Sequence, residues 1–155
     1  NGKVAITRFC LPEHKSGLFD QAAAFLVFAR KSLMITKKSE WDVVVATSGR
    51  LMTAWLGAFI SKRCGACLYL DIIDIFSEAL TDLFSKSPLR IFLPIIFLIE
   101  RWTIKSATSV NVVSETFKPH IRKLNRHASL TVHTNGIDKE FITASFLKTS
   151  KTGKQ

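Results

Sequence analysis

The chain has 155 residues, 47% of them hydrophobic and 22% charged, which is one domain's length with enough apolar material for a core and excludes a disordered chain. The formal net charge of +10 favours an anionic partner: nucleic acid, an acidic membrane surface or a phosphorylated substrate. Charge alone does not choose among them.

In chain order, residues 3–9 form the first apolar run and read as a strand. A chain that opens on a strand at Asn1, with no signal peptide, is expected to have lost sequence upstream. Residues 10–17 form a loop with Pro12 and His14. Asp20 is placed to cap a helix to about Lys38, with Ala22, Phe25, Leu26, Ala29 and Leu33 on one face. Residues 42–46 contain three consecutive valines, which predict a strand covered on both faces, as in a parallel sheet between helices. Thr47-Ser48-Gly49 turns into a helix carrying Leu51, Trp55 and Phe59 at i, i+4 and i+8. Gly65 should end it in the left-handed conformation after the basic pair Lys62-Arg63.

A third strand is expected over 66–72, followed by an acidic segment containing Asp71, Asp74 and Glu78. The greasiest stretch, 89–99, is broken by Arg90 and closed by Glu100-Arg101, well short of a bilayer span. It fits a helix over 89–106 started by Pro88. A fourth strand over 109–113 leads to Ser114, which is placed to cap a helix through Leu124, although Pro119 removes one bond within it. A fifth strand over 130–133, nearer an edge, precedes the Asn135-Gly136 turn and a basic tail. Such alternation predicts an α/β fold, a doubly wound, mostly parallel Rossmann-like sheet with helices on both faces.

In an open parallel sheet, ligands bind beyond the carboxyl ends of the strands. That rule selects the loops 10–17, 47–50, 71–78, 114–115 and 134–138. Ser48-Gly49-Arg50 presents amides at a helix start, suited to an anion or to a plain tight turn. Asp71, Asp74 and Glu78 follow a buried strand, where a carboxylate can orient an attacking hydroxyl or accept its proton. Helix capping by Asp74 and a solvated first turn at Glu78 is the alternative. Cys64 and Cys67 follow a helix and precede a strand, the wrong polarity for a redox pair, and read as two semi-buried thiols. Three cysteines and no Asn-x-Ser/Thr sequon give no disulfide framework and fit a reduced, cytosolic compartment. His120 and His127 lie in a basic helical region and read as solvated; His133 reads as structural. The basic, apolar helices suit either a surface touching anionic lipid or a solvated face over an ordinary core. Nucleic-acid motifs are absent.

Four segments resemble family 4 glycosyltransferases in order and spacing. Trp41-Asp42-Val43-Val44-Val45-Ala46-Thr47-Ser48 resembles the family's strand "pDvvvasSpp". Leu70-Asp71-Ile72-Ile73-Asp74-Ile75-Phe76-Ser77-Glu78 resembles "vRDlwPes". Residues 100–107 resemble "lErwlyrrAd". Val112-Val113-Ser114-Glu115-Thr116-Phe117, with Asn135-Gly136-Ile137-Asp138, resembles "vvSegf … pNGvD". The resemblance spans about 40–141. Ile73 stands where relatives have Arg or His, Ser77 where many have Pro, and Thr134 where Pro precedes Asn-Gly.

The resemblance implies one half of a GT-B architecture: residues 1–142 as a partial acceptor-side domain lacking the family's first strand, and 143–155 as a tail toward a donor-binding domain. It implies a retaining transferase that takes a sugar from a nucleotide sugar, with no metal or resident cofactor. The acceptor would be a glycan or polyprenyl-diphosphate-linked sugar in surface-polysaccharide synthesis at the inner face of the plasma membrane. Asp74 and Asp71 are then the candidate catalytic residues. His14, Ser48, Gly49, Arg50, Glu78, Ser114, Glu115, Asn135 and Gly136 are the candidate substrate-binding residues. These 155 residues alone are expected to be catalytically silent. The competing readings are a stand-alone basic α/β module binding membrane or nucleic acid, and another GT-B-like enzyme such as a sugar epimerase.

Overall fold

The structure is a computed structural model that describes residues 4–12, 17–37, 40–77, 81 and 88–136. Four parallel strands, β1 (Val43–Thr47), β2 (Cys67–Ile72), β3 (Ser109–Val112) and β4 (Ser129–Val132), form one sheet in the order β1-β2-β3-β4. Among the described residues the α-helices are α1 (Leu18–Thr36), α2 (Leu51–Cys64), α3 (Leu93–Ser106) and α4 (Lys118–Leu124), with further helical residues at 76, 77 and 81. This is the α/β, Rossmann-like arrangement expected, and the strand progression is that of a doubly wound sheet on one side of its switch point. No helix among the described residues is long and apolar enough to cross a membrane.

The core lies between the sheet and the row α2–α3–α4. Leu68, Leu70 and Ile72 of β2 and Val110 and Val112 of β3 meet Ala54 and Ala58 of α2, Ile104 of α3 and Ile121 of α4. A second cluster joins α1 to α2 through Ala29, Leu56 and Ile60, and Val44 packs against both.

The face of α2 that seats on the sheet is not the stripe Leu51, Trp55, Phe59. Ala54, Gly57, Ala58 and Ser61 are the buried small residues instead. A β-carbon added at Gly57 would stand 2.4 Å from that of Ala46, so helix and strand approach as closely as backbones without side chains allow. Trp55 and Phe59 are displaced to the flanks, where their rings stack at 5.7 Å and Trp55 lies 6.4 Å from Trp102 of α3. Gly65 ends α2 at φ 67°, as its position predicts, with its amide on the Ser61 carbonyl.

Several boundaries differ from expectation for local reasons. Residues 4–9 are neither helix nor strand, and Val4 and Ile6 are largely exposed. Gly17, not Asp20, sits at the N-cap of α1, and Asp20 lies in its first turn, where its charge still suits the helix dipole. On α1, Ala24 and Ala29 are buried while Leu26 is exposed. Val43 and Val45 are 52% and 67% exposed, so on β1 only the face bearing Val44 and Ala46 is covered. Pro88 opens a 3-10 turn, Pro88–Phe92, and the α-helix proper begins at Leu93 with Pro94 in its first turn. Ser114 likewise caps a 3-10 turn, Glu115–Phe117; a fresh helix starts at Lys118, so Pro119 falls where no bond is lost. Cys67 is exposed rather than semi-buried, while the Cys64 thiol is partly buried, 3.7 Å from the Thr36 carbonyl.

Asn125 closes the last crossover. Its side-chain amide donates to the carbonyls of Ile104 (2.8 Å) and Ala107 (3.0 Å), and its oxygen accepts from the amides of His127 (3.2 Å) and Ala128 (3.1 Å). Asn125→Ala should cost about 1–3 kcal/mol by leaving these buried groups unmet. Asn125→Asp, which keeps the acceptor and turns a carboxylate toward two carbonyls, should recover none of that in a urea titration followed by circular dichroism. In the same assay Gly57→Ala should cost about 1–3 kcal/mol, because β1 and α2 have no room to part.

Candidate functional site

The parallel register places Thr47, Asp71, Asn111 and Thr131 in one row near the carboxyl ends of the strands. Strand alternation points them away from the helix-covered face. Asn111 donates to the Asp71 carboxylate at 2.7 Å, and the Thr131 hydroxyl donates to the Asn111 carbonyl at 3.3 Å. Asn111 is buried, so the row is a directed chain of hydrogen bonds that fixes Asp71 in place.

Beyond this row the chain turns, and Ser48 holds the turn. Its amide donates to the Asp71 carbonyl at 2.8 Å and its hydroxyl accepts the Ile73 amide at 2.9 Å. Ser48 is itself buried, so it ties the end of β1 to the loop after β2 rather than facing solvent. Asp74 follows on that loop, exposed, with Oδ1 accepting the Ile75 amide at 2.8 Å just before the helical residues Phe76 and Ser77. It caps this turn and still presents its carboxylate to solvent.

The loop is braced from below by Glu100, which closes the apolar stretch and opens the family-like segment 100–107. The helix runs six residues past it, and Glu100 is 5% exposed. One carboxylate oxygen accepts the Ser77 amide at 3.2 Å, and the other lies 3.7 Å from Nε2 of His120 on α4. His120 is therefore not the solvated residue expected; its side chain is 24% exposed against this acid. Burial by itself would push the Glu100 carboxyl up, but His120 and Ser77 outweigh it and hold the carboxyl below its ordinary value. Ser48, Asp74 and Glu100 together line a cavity of about 20 Å³, room for one water. A carboxylate at the end of a run of Leu, Ile and Phe, within a helix that continues past it, is the signal that could have marked Glu100, since such a group is buried only with partners.

The structure thus ties Ser48 to the backbone of Asp71 and sets Ser48, Asp74 and Glu100 around one cavity, with His120 beside Glu100; the Asp71 carboxylate, bonded to Asn111, lies on the other face of the sheet. Arg50 occupies the N-cap of α2 without a side-chain capping bond, and Gly49 faces open space. Ser114 accepts the Thr116 amide, and Glu115 pairs with Lys118 at 2.7 Å. Asn135 and Gly136 are exposed beyond β4. By topology all six belong to the carboxyl-end rim, but among the described residues none hydrogen-bonds Asp71 or Asp74. His14 and Glu78 lie outside the described residues. His127 is exposed, as expected; His133 is exposed too, and its amide extends the ladder to the Val112 carbonyl at 3.1 Å.

No protein-family model matches the sequence, and no curated protein matches it.

Because the folded Glu100 carboxyl titrates below its ordinary value of 4.5, its contribution to stability is complete above that pH. The contribution is lost progressively as pH falls through the lower folded value. Glu100→Gln should therefore be less stable than the native chain near about pH 7 and should flatten the acid limb of a plot of urea midpoint against pH down to about 3.

Proposed function

We propose that this chain is the acceptor-side α/β unit of a retaining, nucleotide-sugar-dependent glycosyltransferase. In this reading it works at the cytoplasmic face of the plasma membrane, on a glycan or polyprenyl-diphosphate-linked acceptor of surface-polysaccharide synthesis. The nucleotide sugar is a co-substrate held by residues outside these 155, and no metal takes part.

The observation that carries the reading is where the family-like segments fall. Residues 41–48 form β1 and its exit turn, 70–77 the end of β2 and its loop, and 112–117 the end of β3 and its capped turn. Asn135-Gly136 follows β4. Each lies at a strand's carboxyl end, where open α/β sheets bind ligands. The remaining segment, 100–107, begins with Glu100, which braces the loop bearing Asp74. Asp74 is the exposed carboxylate of the group and the residue suited to orient an acceptor hydroxyl or take its proton. Asp71 supports that loop through its backbone carbonyl, which accepts the Ser48 amide, while Asn111 holds its carboxylate.

The reading is tested in the complete reading frame that contains these residues, assayed with nucleotide sugars and membrane extract as acceptor. Asp74→Asn should lower kcat/KM by about 10²–10⁴ with the fold intact by circular dichroism. The 155 residues alone should transfer nothing. Full activity in Asp74→Asn removes the catalytic role of that residue. Transfer by the 155 residues alone, or tight, salt-sensitive polynucleotide binding with no transfer by the complete frame, overturns the reading.

A further inference from the structure

A groove of about 480 Å³ runs between α1 and α2, on the flank left by the close seating of α2. Its walls are apolar, with Leu26 and Met34 of α1 and Trp55 and Phe59 of α2 among them. Leu26 and Met34 are 66% and 61% exposed, an unusual amount of aliphatic surface to leave in water at one place. Three cations share the lining: Arg30 and Lys37 on α1 and Arg63 in the last turn of α2. Among the described residues no carboxylate lines it.

The sequence arranges this on α1. Leu26, Arg30 and Met34 follow at i, i+4 and i+8, with Leu33 and Lys37 completing the same face, so alkyl and cationic groups alternate along one edge of the helix. Other basic residues nearby are engaged. Lys31 donates to the Cys10 carbonyl at 2.9 Å, and Lys62 sits 5.3 Å from the Trp102 ring centre. Arg30, Lys37 and Arg63 make no hydrogen bond or ion pair among the described residues.

We infer that this groove is a docking site for an anionic phospholipid bilayer. Hydrocarbon seats against Leu26, Met34, Trp55 and Phe59, and lipid phosphates meet Arg30, Lys37 and Arg63. Charge complementarity selects this occupant, since three cations around an otherwise apolar wall match an amphiphile with an anionic head and an alkyl body. A nucleic-acid site would instead offer polar side chains and bare aromatic faces along a phosphate track. The contact rests on the peripheral placement proposed above and not on the transfer chemistry.

The test uses the 155-residue chain carrying Trp41→Phe and Trp102→Phe, which leaves Trp55 as the sole tryptophan reporter. It is mixed with vesicles of pure phosphatidylcholine or of an equal mixture with phosphatidylglycerol, the acyl chains brominated in one set. Binding is expected only to the anionic vesicles, with Trp55 fluorescence quenched by the brominated chains. Arg30→Gln, Lys37→Gln and Arg63→Gln combined should weaken partitioning by about 100-fold. Leu26→Ser with Met34→Ser, both at exposed positions that leave the core intact, should abolish the quenching. Anionic binding without Trp55 quenching overturns the groove while leaving the peripheral placement standing. No vesicle binding, or binding only to polynucleotide, overturns both, and neither result depends on whether sugar transfer occurs.

Discussion

The contact that organises this protein is the close approach of α2 to β1 at Gly57 and Ala46. Only a helix face of Ala, Gly and Ser can sit so low on a sheet, and α2 supplies one at 54, 57, 58 and 61. The large side chains of the same helix are forced to its flanks. On one flank Trp55 and Phe59 face α1 and leave a groove there; Trp55 also reaches the Trp102 ring of α3.

A second set of constraints is polar. Ser48, Glu100, Asn111 and Asn125 are all buried, and each ties together segments far apart in the chain. Hydrophobic burial alone would tolerate small slips of a loop; a buried donor that loses its acceptor does not. The rim at the strands' carboxyl ends is therefore held more exactingly than its exposure suggests. Asp74 stands exposed on a loop fixed at both ends, by Ser48 at one and by Glu100 through Ser77 at the other. That is the arrangement of a group whose position matters more than its own packing.

The architecture was legible because strand–helix alternation is a property of local pattern, and the positions of β1 to β4, Gly65 and the basic last turn of α2 all follow from it. Which face of α2 is buried was not legible. The spacing of Leu51, Trp55 and Phe59 satisfies helical periodicity, but periodicity does not know that the sheet demands small residues. The three valines of β1 are as apolar as a doubly covered strand requires, yet coverage depends on neighbours that no strand encodes. Residues 3–9 have the apolar character of a strand, and a strand needs a partner edge as well as a pattern. For the candidate site, the place of Asp71 and Asp74 after a buried strand is legible from pattern alone. The bonds of Glu100 and Asn111 are not, because they reach partners 23 and 40 residues away. Pro119 misled in the opposite direction: the chain restarts its helix one residue earlier and makes the proline harmless.

The four bonds of Asn125 have a consequence for how the molecule opens. One side chain holds the last turn of α3, the exit from α4 and the entry to β4, so none of the three can leave while the others stay without stranding buried polar groups. The end of α3, α4 and the start of β4 should behave as a single cooperative block in native-state hydrogen exchange, their amides sharing one opening free energy. Residues 4–12, which contribute to no strand or helix, lie at the other extreme. The chain thus carries its own gradient of persistence, firmest where an asparagine sits.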